Sequence, residues 1–179
     1  MTDGGPAEGG LADDLGYRVI EPNTFQRAMQ SFASSRPGAW LFSRLLRHLD
    51  NAVGRLSKGR TSTPRLLAGI PVLDVTTTGR KSGLPRTSHL IAVPYDGTLA
   101  LLGTNFGQPA TPAWVLNLEA NPRATVTHSG RTREVVARLA TEQEQAGVLA
   151  ASAQVYGGYL KYQQRITDRR LRIFLLDPA

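Results

Sequence analysis

The chain has 179 residues, 41% hydrophobic and 20% charged, with 18 Gly and 11 Pro, which suits one folded domain with a real core and excludes a disordered or collagen-like polymer. It has no Cys and only three scattered His, His48, His89 and His128, so disulfides and thiolate catalysis are excluded, a protein-built zinc site is not expected, and hard redox chemistry must be borrowed from a bound cofactor. The formal charge of +7 is uneven: residues 1–17 hold four acids and no base, leaving 21 bases against 10 acids in the remainder, a balance suited to a polyanionic partner.

In chain order, residues 1–17 combine Gly, Pro and Asp with few large apolar groups, and are expected to form a disordered acidic tail that cannot offset its own ordering entropy. A helical segment is expected over 18–64. Asn23 can cap a short helix to Phe32, and between Pro37 and Lys58 the apolar residues, Leu41, Leu45 and Leu49 among them, fall within an arc of about 140° with Arg44, Arg47, Arg55 and Lys58 opposite. Such a basic amphipathic helix can pack on its own domain or make peripheral contact with an anionic membrane. No apolar run is long enough to span a bilayer, since residues 66–75 are broken by Gly69, Pro71 and Asp74, and the start has no leader pattern; a cytoplasmic location is therefore expected.

From residue 65 the periodicity turns to strands. Val72–Thr78 is β-branched and leads through Gly79–Gly83 into an extended run Arg86–Tyr95; Asp96-Gly97 then turns the chain into Thr98–Gly103, giving three antiparallel strands in series. Pro112–Leu118 reads as a short helix, followed by strands Ala124–His128 and Arg133–Leu139. Thr141 and Glu144 have capping-box spacing for a helix through Ala153, and Leu171–Leu176 supplies a last strand. Six strands in an antiparallel meander with flanking helices argue for an α+β fold, most simply a small barrel over residues 65–179.

Three segments can carry chemistry. The turn Thr76-Thr77-Thr78-Gly79-Arg80-Lys81-Ser82-Gly83 with Pro85-Arg86-Thr87 concentrates three cations and several hydroxyls, where amides can form an anion nest and Arg can grip a phosphate bidentately. It lacks the spacing of a Walker A loop. Gly103–Trp114 leaves a strand and enters a helix, so free amides can face an anionic or carbonyl-bearing ring, with Trp114 packing on it or in the core. Tyr156, Tyr159 and Tyr162 are spaced by three; on one helical face they can line a pocket as proton donors, or form a buried aromatic stripe. The basic residues lack interleaved aromatics, so nucleic acid is not an expected partner.

Together, TTTGRKSGxPR, NFGQPxxPAWxxNLxANP and the stretch Val155–Arg169 resemble, in order and spacing, the deazaflavin-dependent nitroreductase family. The resemblance covers about residue 65 to the C-terminus. It implies a split β-barrel related to flavin-mononucleotide-binding oxidoreductases, and coenzyme F₄₂₀, a polyanion through its phosphate and oligoglutamate tail, as cofactor. By the resemblance Arg80, Lys81, Ser82, Gly83, Arg86 and Thr87 meet the phosphate and tail. Thr104, Asn105, Phe106 and Gly107 face the ring, with Trp114 and Asn117 behind them. Tyr156, Tyr159 and Tyr162 lie on the substrate side as catalytic residues. The implied activity is hydride transfer from the reduced cofactor to a small-molecule acceptor: a quinone, a nitroaromatic or an activated enone. Phe106 and Val115-Leu116 depart from the family pattern and bear on the acceptor. Two other readings stay open at this point, an FMN-dependent oxidoreductase of the same barrel and a non-catalytic cofactor carrier. A homodimer is common among related barrels.

Overall fold

The strands form where β-branched and apolar residues run together between turn residues. They are Leu73–Thr78 (β1), Pro85–Leu90 (β2), Ala92–Tyr95 (β3), Thr98–Leu102 (β4), Arg123–His128 (β5), Arg131–Leu139 (β6) and Ile173–Pro178 (β7). Among the described residues four helices accompany them: Leu11–Leu15 (α1), Ala113–Ala120 (α2), Glu142–Val155 (α3) and Gly158–Arg165 (α4). The computed structural model describes residues 10–19, 35, 71–156, 158–167 and 169–179. The expected helices Asn23–Phe32 and Pro37–Lys58, and with them the basic amphipathic surface, lie outside the described residues.

Among the described residues there are seven strands rather than six, and they are not a simple meander. The sheet order is β2-β1-β5-β6-β7-β4-β3, and every neighbouring pair is antiparallel. The expected single run Arg86–Tyr95 is divided at Ile91, because β1 begins at Leu73, opposite Leu90, and offers nothing further to pair with. Ala92 starts a new ladder opposite Leu101. β2 and β3 are thus the two outer edges of the sheet, yet one residue separates them. A flat seven-stranded sheet would hold its edges about 28 Å apart, six inter-strand spacings of roughly 4.7 Å, so the sheet must curl until the edges meet at that corner. This is the split-barrel, α+β architecture expected from the sequence.

Period-2 alternation then sorts side chains between two cores. Leu73, Val75, Leu99, Leu101, Phe174 and Leu176 fill the barrel interior. Val93, Ala100, Leu102, Ile173 and Leu175 point outward and are covered by α3 and α4 through Val148, Val155 and the tyrosines at 156, 159 and 162. β7 reads as an unbroken apolar run because both of its faces are buried.

The acidic tail expected over residues 1–17 is corrected from Leu11 onward. Leu11 and Leu15, four apart, share one face of α1 and are buried in the barrel core together with Tyr17, and Gly16 ends the helix with the left-handed φ of 63° that glycine adopts without strain. Composition alone favoured a tail; two leucines and one tyrosine on a common face outweigh it. The Tyr17 hydroxyl accepts the Ala92 amide at 2.9 Å and lies 2.9 Å and 3.0 Å from the carbonyls of Pro71 and Ala92. It thereby supplies partners to backbone that the crossover at Ile91 takes out of the regular ladder.

At the start of α3 the expected capping box forms. The Thr141 hydroxyl accepts the Glu144 amide, and Glu144 accepts the Thr141 amide at 2.7 Å and both terminal nitrogens of Arg138 at 2.9 Å and 2.8 Å. The Arg138 hydrogen bond, followed by the Thr141 amide, pulls the Glu144 carboxyl from its ordinary 4.5 down to about 2.

Two outcomes follow from this frame. Tyr17→Phe leaves the buried Ala92 amide unpaired, and urea unfolding should show a loss of about 1–3 kcal/mol; an unchanged midpoint would mean that the corner does not need this hydroxyl. Because the folded pKa of Glu144 lies below its unfolded value, its contribution is present above pH 4.5 and is lost as pH falls toward 2. Glu144→Gln should flatten that acid limb of the stability profile in parallel urea titrations.

Candidate active site

The basic turn between β1 and β2 is built from backbone bonds. Gly79 donates to the Leu84 carbonyl at 2.8 Å, and Ser82 and Gly83 donate to Gly79 at 3.2 Å and 2.7 Å. The buried Asn117 of α2 braces it: its carboxamide oxygen accepts the Arg80 amide at 3.0 Å, and its nitrogen donates to the Thr77 hydroxyl at 3.0 Å. Thr77 in turn donates to the Arg86 carbonyl at 3.3 Å. These bonds take the amides of Gly79, Ser82 and Gly83 within the turn and that of Arg80 through Asn117, which leaves little of the backbone nest expected there. What the turn offers is side-chain charge. Arg80, Lys81, Ser82, Gly83, Arg86 and Thr87 are all exposed, and none of the ion pairs among the described residues involves the three cations. The Ser82 hydroxyl accepts the Leu84 amide at 3.3 Å, and the Thr87 hydroxyl lies 2.9 Å from that of Thr76.

The second segment offers more free donors than the first. After β4 the chain makes a short 3₁₀ turn, Asn105–Gly107, in which three successive residues take left-handed φ values of 47°, 55° and 76°. Gly107 donates to Thr104 and Gln108 to Asn105, both at 2.9 Å. Among the described residues, the amides of Asn105 and Phe106 have no hydrogen-bond partner, and neither does the hydroxyl of Thr104, a residue only 6% exposed. A right-handed residue, Thr104, followed by a left-handed one is the conformation that turns successive amides toward a common anion. Gly107 is required where α4 closes on the turn, since a Cβ there would stand 2.9 Å from the Cβ of Arg165 and 3.3 Å from the Tyr162 carbonyl.

The remaining expected site residues stand back from both turns. Trp114 lies in the barrel core, edge-on to Phe174 with ring centroids 6.1 Å apart, so core packing is its observed role. The amide group of Asn117 serves the basic turn as described. Tyr156, Tyr159 and Tyr162 do cluster, but inward. The hydroxyls of Tyr156 and Tyr162 are 3.0 Å apart, and Tyr159 donates to the Ile91 carbonyl at 2.7 Å. Phe106 meets the Tyr162 ring edge at 5.9 Å, which joins the cluster to the free-donor turn.

With this geometry established, comparison with known proteins is informative. The model of the F420H(2)-dependent quinone reductase family matches residues 46–178. The chain belongs to that family. An F420H(2)-dependent quinone reductase of Mycobacterium tuberculosis and its putative counterpart in Mycobacterium bovis are each 34% identical over 77 residues, 43% of this chain. The aligned segment spans about half, 51%, of those relatives. A solved F420-H2 dependent reductase is 30% identical, with a TM-score of 0.55 over 60% of this chain and 94% of that one. A solved domain-swapped dimer is 27% identical, with a TM-score of 0.56 over 79% and 99%.

For a member of this family the inward tyrosines matter most through their protonation. Burial, first of all, pushes the phenols of Tyr156, Tyr159 and Tyr162 up from the usual 10.0, so all three are neutral over the physiological range. Tyr159 already gives its proton to a carbonyl, which leaves it a brace between α4 and the corner of the sheet. Sequence reasoning missed Tyr17 and also Arg169, whose guanidinium lies behind the free-donor turn. Only the position of Arg169 in the third motif hinted at it.

A phenol whose folded pKa is raised stabilises the fold fully below pH 10.0, and that contribution is lost as pH climbs toward the folded value. Phenolate absorbance of these three tyrosines should therefore appear in the same kinetic phase as loss of the far-ultraviolet dichroism in an alkaline jump. A fast phenolate phase that Tyr159→Phe removes, preceding unfolding, would show that Tyr159 is open to solvent.

Proposed function

We propose that the protein is a reductase that passes a hydride from reduced coenzyme F₄₂₀ to a quinone, with nitroaromatics and activated enones as further acceptors of the same chemistry. The observation that carries this reading is the donor set at residues 104–106, a buried hydroxyl and two amides without partners among the described residues, combined with an exposed turn bearing three cations without ion pairs there. Buried polar groups are almost always satisfied, so the orphaned Thr104 hydroxyl supports a place completed by a ligand, with the two half-buried amides beside it as further donors. Its donors suit an electron-rich ring carbonyl or nitrogen, and the cations suit a phosphate and oligoglutamate tail. The two are joined through α2: the loop carrying the donors ends at its first residue, and Asn117 stands four residues on, about 6 Å along the axis.

When bound, the reduced deazaflavin supplies the hydride. The chain's own residues do the rest by placement and electrostatics. Arg80, Lys81 and Arg86 hold the tail and raise the local concentration of an anionic cofactor. The Thr104 hydroxyl and the Asn105 and Phe106 amides stabilise negative charge on the ring, and in such sites a single donor contributes on the order of 3 kcal/mol. Reduction of a quinone to hydroquinone takes one hydride and one proton. Tyr159 is committed to Ile91, so the proton comes from solvent or through the Tyr156–Tyr162 hydroxyl pair. No helix among the described residues is long and apolar enough to cross a membrane. We place the protein in the cytoplasm, where a lipid-soluble acceptor would be met at the membrane surface.

Titration with oxidised F₄₂₀ beside FMN, followed by oxidation of the reduced cofactor with menadione, tests the reading. Micromolar or tighter binding of the deazaflavin, weakened at least tenfold by Lys81→Ala or Arg80→Ala and by added salt, is the expected result. Preference for FMN would replace the cofactor, and binding without menadione-dependent turnover would make the protein a carrier.

A further inference from the structure

Arg169 donates from all three guanidinium nitrogens to one short piece of backbone. Nη1 donates to the Gly103 carbonyl at 2.8 Å, Nη2 to the Thr104 carbonyl at 2.8 Å and Nε to the Gln108 carbonyl at 3.2 Å. These three acceptors bracket the left-handed turn from both ends. We infer that Arg169 is a positioning residue: by gripping these carbonyls from behind, it aims the unpartnered amides at residues 105–106 and fixes the affinity and reactivity of the site they form.

In a planar trans peptide the C=O and N–H point in opposite directions. The Thr104 carbonyl and the Asn105 amide belong to one peptide unit. With its oxygen held by Arg169, that unit must present its N–H on the far side. The next unit behaves likewise, since the Asn105 carbonyl accepts the Gln108 amide and so turns the Phe106 N–H away from that bond. Asn105 adds a local tie, its side-chain nitrogen donating to the Ala110 carbonyl at 2.8 Å. None of the ion pairs among the described residues includes Arg169, so its charge has no acidic partner there and is directed wholly to carbonyl dipoles. Lysine cannot replace it, because a single ammonium cannot span three carbonyls in a fixed fork.

The functional consequence rests on the F₄₂₀ reading above, whereas the mechanical one does not, and the experiment separates them. Amide exchange is followed by NMR in the full-length protein without cofactor, for wild type, Arg169→Ala and Arg169→Lys, with β7 amides as an internal control for folding. F₄₂₀ affinity is measured on the same samples, with and without methylguanidinium. In Arg169→Ala the Gly107 and Gln108 amides, whose bonds close the turn, should exchange at least tenfold faster while β7 protection is kept. F₄₂₀ should bind at least tenfold more weakly, methylguanidinium should restore part of both, and Arg169→Lys should fall between. If β7 protection collapses in the alanine variant, the lysine variant decides alone by the same two readouts. Unchanged exchange at Gly107 and Gln108 overturns the inference, as does faster exchange with undiminished affinity. A wild-type protein that binds no F₄₂₀ would sink the functional reading instead, and the exchange comparison would still decide whether Arg169 holds the turn.

Discussion

A single residue, Ile91, joins the two outer edges of a seven-stranded sheet, and most of the architecture follows from that covalent constraint. β2 ends at Leu90 on one edge and β3 begins at Ala92 on the other, so the sheet has to curl. Curling creates an interior, which Leu73, Val75, Phe174 and their neighbours fill, and an outer face over β3, β4 and β7 that α3 and α4 must cover. It also strips backbone groups at the corner of their ladder partners. Two tyrosines from distant parts of the chain supply replacements: Tyr17 bonds Ala92, and Tyr159 bonds Ile91. The turn after β4 leaves the sheet near this corner, the β1–β2 turn lies at the other end of the β1–β2 ladder, where Thr78 faces Pro85, and α2 makes the two loops converge.

The candidate site uses that convergence with a division of labour between two turns. The β1–β2 turn spends most of its amides, within itself and on Asn117, and projects cations. The turn after β4 does the reverse, exposing amides and carrying no charge of its own. α2 couples them, because the loop that holds the amides runs into its first turn and its buried Asn117 bonds the other turn directly. A ligand with a charged tail and a polar ring can address both at once, and neither turn alone would distinguish such a ligand from a simple anion.

Elements with local causes were legible in the sequence. The β-branched run of β1, the Asp96-Gly97 and Ser129-Gly130 turns with their positive φ values, and the Thr141–Glu144 capping box are all specified by neighbours within a few residues. The crossover at Ile91 was not, since nothing in Arg86–Tyr95 says where β1 stops being available. Tyr17 was hidden for a related reason: its value lies in an orphaned amide 75 positions away. The tyrosine triplet was found by its spacing, but its direction was not. Whether a phenol faces a pocket or a core depends on which helix covers which face, and here the end of α3 turns Tyr156 inward and α4 turns Tyr159 and Tyr162 inward.

The left-handed turn poses the sharpest physical question. Asn105 and Phe106 occupy a region that L-residues adopt at a penalty of about 1–2 kcal/mol each, and Phe lacks even the local polar compensation available to Asn. Such strain persists only where surroundings over-determine it. Here the restraints come from three sides: the Arg169 fork on the carbonyls, Arg165 and Tyr162 against Gly107, and the Phe106 ring on Tyr162. Hydrogen bonds to a charged donor contribute about 1.5–3 kcal/mol apiece, so the fork alone is of the right size to offset two strained residues. A turn relaxed to right-handed backbone would relieve the strain and point its amides elsewhere. The conformation that is harder to hold is therefore the one that leaves two N–H groups and a buried hydroxyl free, and the chain commits an arginine and the packing of a helix to keeping it.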